Sequence, residues 1–310
     1  MNSKVAIFIL FVTVTLSSPF IKVANANSIV CMNSSLGDYC LELFDDIAPV
    51  TVTNFLSYVD AGYYDNIIFH RSAPGFILQS GGFTINDDIA LTEVTNNGSI
   101  VNEYQLSNTR GTIAMAKLSG DPDSASNQWF INLADNSANL DNQNEGFTVF
   151  GRVIGNGMAI IDSTSNLTRY NFGGVLTETP TINYDGGETI NQENFVFIDK
   201  AQKLIEDKET ATFQSNYLIA VVDAGVLGIY NLKFKLTEVT PKYKFALDLS
   251  LIRKPSIDSK IQATFDSASG LLALPSVKLS DETVLINVVM KLTDSTAYTF
   301  ELLSIDGQKY

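Results

Sequence analysis

The residues best placed to do chemistry lie in one stretch, Phe69-His70-Arg71-Ser72-Ala73-Pro74-Gly75-Phe76-Ile77-Leu78-Gln79-Ser80-Gly81-Gly82-Phe83. Arg71 is a permanent cation with its donors in a fixed planar fork. Side chains on an extended chain alternate between faces. The Pro74-Gly75 turn breaks that alternation, so Arg71, Phe76 and Gln79 can share one surface. A guanidinium beside an aromatic ring and an amide would make a pocket for a small apolar group and one carbonyl. A core strand with a single exposed Arg fits the same residues equally well, and only the rest of the chain separates the two readings.

Other catalytic chemistries find little support. His70 is the only histidine, so a Ser-His-Asp relay would have to use it, and no Ser/Asp pattern accompanies it. One His and two Cys do not build an ordinary zinc site. Asp141 to Gly146 looks like half a calcium loop without the acid at its twelfth position, and reads as solvated loop. There is no phosphate-cradling Gly-rich segment ending in Lys. No metal and no cofactor are expected.

With 34 acidic and 20 basic residues the formal charge is −14, which disfavours nucleic acid and anionic membrane surfaces as partners. The 310 residues suffice for two cores. Residues 1–26 read as a signal peptide, with Lys4 in the n-region, Val5 to Leu16 apolar and Ala24-Asn25-Ala26 as cleavage site. The apolar run is too short to span a bilayer. The expectation is an exported protein, periplasmic or otherwise secreted or surface-held, with no membrane insertion after cleavage.

Export permits a disulfide. Cys31 and Cys40 flank the turn Ser34-Ser35-Leu36-Gly37 of an expected hairpin, and pairing Asn33 with Asp38 sets Cys31 opposite Cys40. A cross-strand disulfide is expected; two buried thiols are the alternative.

The elements that must position the pocket follow in order. Pro49 with Val52, Phe55, Leu56 and Val59 predicts a helix stopped by Gly62. Strands are expected around Asn108–Ala116, Asn127–Leu133 and Phe147–Val153, a second helix over Met158–Ser163, and a last strand over Phe195–Ile198. In the second of these strands Gln128 and Phe130 share a face.

These segments together resemble a family. Phe69-His70-Arg71, Pro74-Gly75-Phe76, Gln79 with Gly81-Gly82-Phe83, Asn108 to Ala116, Gln128-Trp129-Phe130-Ile131-Asn132 and Val149-Phe150-Gly151 match the cyclophilins, peptidyl-prolyl cis-trans isomerases, in order and spacing. The resemblance covers residues 28 to about 202 and is nearest to compact bacterial periplasmic forms. It implies a mainly β protein with a closed eight-stranded antiparallel barrel capped by two helices. It also implies roles: Arg71, Phe76 and Gln79 catalytic; Ile77, Phe130, Leu140 and Phe147 lining a proline pocket; Gln128 and the backbone near Ala116 and Lys117 holding the residues before proline. Proline-containing polypeptides are the implied partners, and no cofactor is needed. Asn139 stands where eukaryotic relatives have a Trp tied to tight cyclosporin binding, so strong drug binding is not implied. Trp129 replaces a usual Phe and is expected to point into the core, and His70 is expected to be structural.

The domain reading is 27–202 for the isomerase, 203–209 as linker in a charged, helix-prone stretch, and 210–310 as a β-rich accessory domain. In the last, Gly225 to Phe234 echoes Gly270 to Leu279, and Phe245 to Leu249 echoes Val288 to Leu292. This weak two-fold repeat predicts a small β-sandwich that binds or targets an unidentified partner, or merely stabilises. The competing readings of the whole are a non-catalytic module gripping proline segments and a surface adhesion protein.

Overall fold

The computed structural model describes residues 27–187, 189–255 and 259–310, and the expected signal peptide, 1–26, lies outside them. The described residues form two compact units, Asn27–Leu204 and Ile205–Tyr310.

The first unit opens with the hairpin β1 (Ile29–Ser34) and β2 (Tyr39–Leu43), then α1 (Pro49–Asp60). There follow β3 (Ile67–Ile68), β4 (Arg71–Ala73), β5 (Ile77–Ser80), β6 (Phe83–Ile85) and β7 (Leu91–Glu93). Beyond the long loop lie β8 (Thr112–Met115), β9 (Trp129–Asn132), α2 (Ser137–Leu140), β10 (Val149–Ile154) and α3 (Gly157–Ser165). The unit ends with β11 (Arg169–Tyr170), β12 (Thr179–Pro180) and β13 (Phe197–Lys203).

Pro49 starts α1, whose position before it, Ala48, has no side chain to cap the helix. Glu103 does this instead: its carboxylate accepts from Val50 N at 3.1 Å, and from Thr51 N and Oγ1 at 2.8 Å. An acid suits the positive end of the helix dipole. The buried face of α1, including Val52, Phe55 and Tyr58, covers the core.

The main sheet runs β4-β5-β9-β8-β10-β2-β1-β13-β3-β6-β7. Both ends of that path fall on one hairpin, because β3 continues into β4 through Phe69-His70 and β5 into β6 through Gly81-Gly82. The sheet therefore closes. Hydrogen bonding divides it into eleven short strands rather than the eight expected. One break has a clear cause. Gly81 sits at φ +91°, and a Cβ there would lie 2.3 Å from the Asn127 carbonyl, so the strand must kink where it passes Trp129.

Trp129 fills the interior, with ring centroids 6.2–6.3 Å from those of Phe55, Tyr64 and Phe69. Burying such side chains stabilises by about 1.5–3 kcal/mol each. Cys31 and Cys40 are cross-strand partners and form a disulfide. Among the described residues three α-helices are present where two were expected; the extra one, α2, is a single turn.

The charged stretch after Ile198 is not helical. Residues 199–203 complete β13, and Leu204 N donates to Ile29 O at 2.8 Å. Pairing with β1 overrides local helix propensity.

The second unit contains β14 (Ala211–Gln214), β15 (Tyr217–Asp223), β16 (Ile229–Glu238), β17 (Lys244–Leu247), β18 (Ala263–Asp266), β19 (Leu271–Leu279), β20 (Val284–Asp294), β21 (Thr299–Ile305) and β22 (Gln308–Lys309). The weak repeat corresponds to two antiparallel meanders, β15-β16-β17 and β18-β19-β20, with β21 joining β17 to β20. The other ends also pair: β15 lies parallel to β18, and β14 bridges β15 and β19. This is one nine-stranded sheet that closes on itself, not a sandwich of two sheets. The repeat alone could not distinguish these, because closure depends on the parallel pairings between its halves. Tyr217 to Val222 in β15 is buried on both faces, so its sequence does not alternate and carries no period-two signal.

Among the described residues no helix is long and apolar enough to cross a membrane.

Candidate functional site

The site lies on the outer face of the first sheet. The Pro74-Gly75 turn, closed by Phe76 N donating to Ala73 O at 2.9 Å, returns β5 along β4. In that register Arg71 faces Gln79, Gln79 faces Phe130, and Phe130 faces Ala114. Four strands thus contribute one row: a cation, an amide, an aromatic ring and a methyl group. Alternate residues Leu78, Trp129 and Ile131 point inward to the main core.

Beside this row is an apolar cluster separate from the main core. Ile77, Ala114, Phe130, Leu140 and Val149 are buried in it, and Phe76, Ala116 and Phe147 pack on it half-buried. The Phe130 and Phe147 rings meet edge to face at 5.9 Å, a favourable aromatic geometry. The structure therefore brings Phe76, Ile77, Phe130, Leu140 and Phe147 together.

The polar side is a relay. Gln79 Nε2 donates to Gln128 Oε1 at 2.9 Å, and Arg71 Nη1 makes a long contact of 3.5 Å to Gln79 Oε1. Arg71 Nε also donates to Glu178 Oε2 at 3.1 Å, with about a third of the Arg71 side chain exposed. The Ala116 N–H donates to the Gln128 carbonyl at 2.9 Å. Lys117 turns its amine to the carbonyls of Asn144 and Gly146, at 2.7 and 2.6 Å, and lies 4.9 Å over the Phe147 ring. It buttresses the turn that carries Phe147. Burial lowers the Lys117 amine from its usual range, against the pull of Glu145 and Asp123.

Below the pocket is an amide network that sequence reading did not single out. Asn132 Nδ2 donates to Asn108 Oδ1 and Thr112 Oγ1, at 3.1 and 2.9 Å. Asn136 Nδ2 donates to Asn132 Oδ1 and the Phe76 carbonyl, both at 2.8 Å. Asn108 Nδ2 donates to Asp141 Oδ1 and the Phe147 carbonyl, both at 3.0 Å. All three Asn residues are buried. They tie together the backbones of two pocket rings, Phe76 and Phe147. The turn α2 then presents Leu140, whose carbonyl accepts from Phe147 N at 3.0 Å. Asp141 is thus a hydrogen-bonded anchor rather than solvated loop. Burial opposes its charge, but bonds from Asn108, Ser107 and Tyr104 hold its carboxyl below the usual carboxylate range. Neither this network, whose Asn residues are told apart from exposed ones only by their burial, nor Glu178, 107 residues from Arg71, had a signal in the sequence.

His70 points away from this surface. It is 3% exposed, stands edge-on to Phe83 at 5.0 Å, and its Nδ1 lacks a hydrogen-bond partner. Burial, aided by the Arg71 charge, pushes its pKa down to about 4. Among the described residues no group of three His, Cys, Asp or Glu could hold a metal ion.

Residues 29–184 match the family model "Cyclophilin type peptidyl-prolyl cis-trans isomerase/CLD". A peptidyl-prolyl cis-trans isomerase of Acinetobacter baylyi is 42% identical over 153 residues, covering 48% of this chain and 78% of that one. Peptidyl-prolyl cis-trans isomerase B of Escherichia coli is 40% identical over 139 residues, covering 43% and 81%. A solved Cryptosporidium parvum cyclophilin-type isomerase, in the presence of the dipeptide Ala-Pro, aligns at 23% identity with a TM-score of 0.43, covering 57% of this chain and 99% of that one.

The chain belongs to the cyclophilin-type family. Its activity is that of a peptidyl-prolyl cis-trans isomerase.

Proposed function

We propose that Arg71 is the electrostatic catalyst of this isomerase and that its clients are proline-containing segments of exported proteins. Rotation about a peptide bond is resisted by about 18–20 kcal/mol, because nitrogen shares its lone pair with the carbonyl. X-Pro bonds populate both isomers, so no bond need break. The catalyst needs only to hold the ring and favour the twisted state, in which the prolyl nitrogen is pyramidal and its lone pair localised.

The row on the outer face carries this reading. Phe76, Ile77, Phe130, Leu140 and Phe147 would hold the proline ring. Arg71 would donate to the prolyl nitrogen and its neighbouring carbonyl, stabilising the localised lone pair. Gln79 would orient Arg71 and, with Gln128, bind the substrate backbone. The backbone at Ala116 would bound the subsite before proline, while Lys117 holds the Phe147 turn in place. As a scaffold, segments 67–73 and 77–85 each count as one long strand, which makes the ring eight-stranded.

Export is supported by the signal-like residues 1–26 and by the Cys31–Cys40 disulfide, which an oxidising compartment maintains. A periplasmic or secreted folding role follows. The unit Ile205–Tyr310 is read as an accessory binding or targeting module. A protease-coupled assay on a proline peptide tests the mechanism: Arg71→Ala should remove nearly all acceleration, and an unchanged rate would refute it.

A further inference from the structure

One charged group on the catalytic face has no part in the chemistry above, the Glu178 carboxylate. The Glu178 backbone is paired with β4. Ser72 N donates to the Glu178 carbonyl at 2.8 Å, and Arg71 and Glu178 form a parallel backbone bridge. The next residue, Thr179, donates from Oγ1 to the His70 carbonyl at 3.0 Å. β12 is paired with β11 on its other side. The Glu178 backbone is therefore held against β4 rather than carried on a free loop, and this brings its carboxylate to Arg71.

It meets Arg71 at one edge of the guanidinium only. Nε donates to Oε2 at 3.1 Å, while Nη1 lies 3.5 Å from Gln79 Oε1. An arginine side chain is long and rotamer-rich, but its fork is planar and rigid. An acceptor fixed at Nε sets the plane of the fork and leaves the Nη donors toward Gln79 and the cleft. The two side chains are 35% and 45% exposed, so water screens the pair and it contributes little to stability. Geometry is the effect that remains.

We propose that Glu178 is a positioning residue for Arg71, aligning the guanidinium for the twisted prolyl bond by accepting a hydrogen bond at Nε. This rests on the reading of Arg71 as the catalytic cation. Alignment of this kind acts in the transition state and is expressed in kcat rather than KM.

The test is steady-state isomerase kinetics of the full chain and of E178A, E178Q, R71A and the R71A/E178A double variant. Thermal unfolding and exchange of the arginine Nε–H protons by NMR accompany it. E178A should lower kcat roughly fivefold with KM within about twofold, and E178Q, whose amide oxygen still accepts, should restore kcat to within about twofold. In the R71A background, E178A should change nothing further. In the wild-type protein the Arg71 Nε–H should exchange with water more slowly than that of exposed Arg169, a measurement that does not depend on any variant folding. The proposal is overturned by an unchanged or raised kcat in E178A, by failure of E178Q to rescue, by the same loss in the R71A background, or by equally fast Nε–H exchange at Arg71 and Arg169. Wild-type rates in R71A would instead overturn the catalytic reading of Arg71 itself.

Discussion

Two cations on the outer faces of two closed sheets differ in every respect that matters to chemistry. Arg71, in the first unit, keeps about a third of its side chain exposed and has an apolar cluster carrying the Phe76, Phe130 and Phe147 rings beside it. Lys233, in the second, is fully buried, and its amine bonds to Glu206 Oε1 at 2.5 Å, with Asn231 Oδ1 at 3.5 Å. Alternation places both Lys233 and Asn231 on the side of β16 opposite Tyr230, Leu232 and Phe234, which belong to the second core. Burial drives the Lys233 amine below its usual range, opposed chiefly by Glu206. A fully buried cation bonded to an acid and an amide can hold chain segments together but cannot meet a substrate. One that retains an open edge can do so. Exposure and spare donors, rather than charge, separate the functional cation from the structural one.

The sharpest way to break this contrast is at Arg71. Removing one preorganised donor from a site of this kind costs about 10²–10³-fold in rate, so Arg71→Ala should lower kcat/KM on that order while the melting curve stays in place. Next comes acid. The His70 pKa falls from 6.5 to about 4 on folding, so between those values the unfolded chain binds more protons than the folded one. Stability is thus full above pH 6.5 and declines as pH falls to about 4, by about 3 kcal/mol for this group. Acid titration followed by unfolding should show this loss in the wild type and not in His70→Gln. The chain has one histidine, so the second unit should lack the effect, and hydrogen exchange resolved by unit checks it.

A somewhat smaller effect concerns the Cys31–Cys40 cross-link. Cys31→Ala/Cys40→Ala should cost roughly 2.5 kcal/mol by the chain-entropy account of a short loop, measured by denaturant unfolding, without changing kcat. Last, Lys233→Ala strands Glu206, whose side chain is 31% exposed. It should therefore destabilise the second unit by about 2 kcal/mol, less than a fully buried pair would. Isomerase rates should be unaltered; a rate loss as large as that of Arg71→Ala would erase the distinction between the two cations.

How much of this was legible in sequence depended on distance along the chain. Arg71, Phe76 and Gln79 sit within one hairpin, where period-two alternation and the Pro74-Gly75 turn suffice to put them on one surface. Phe130 and Gln128 needed the additional knowledge of which strand lies beside β5, and that came through family resemblance. The amide network was hidden although its residues were in view, because an Asn in a sequence looks the same whether it faces solvent or, as Asn108, Asn132 and Asn136 do together, links the Phe76 and Phe147 backbones. Glu178 had no local signal, since its relation to Arg71 exists only because β12 runs alongside β4. In the second unit the β-rich character and the two-fold repeat were legible, while β15, buried on both sides, carries no alternation to read.

By itself the sequence determined the local geometry: turns set by Pro and Gly, strand faces set by alternation, the opposed cysteines, and a cation within reach of an aromatic and an amide. These are short-range consequences of backbone sterics and side-chain period. Only the tertiary structure decided that each sheet closes, that His70 is sealed against Phe83, that Lys233 is spent on Glu206, and that Arg71 is braced by Glu178. Those outcomes rest on pairings between residues from about a dozen to more than a hundred positions apart, which the burial of whole faces selects and no local pattern encodes.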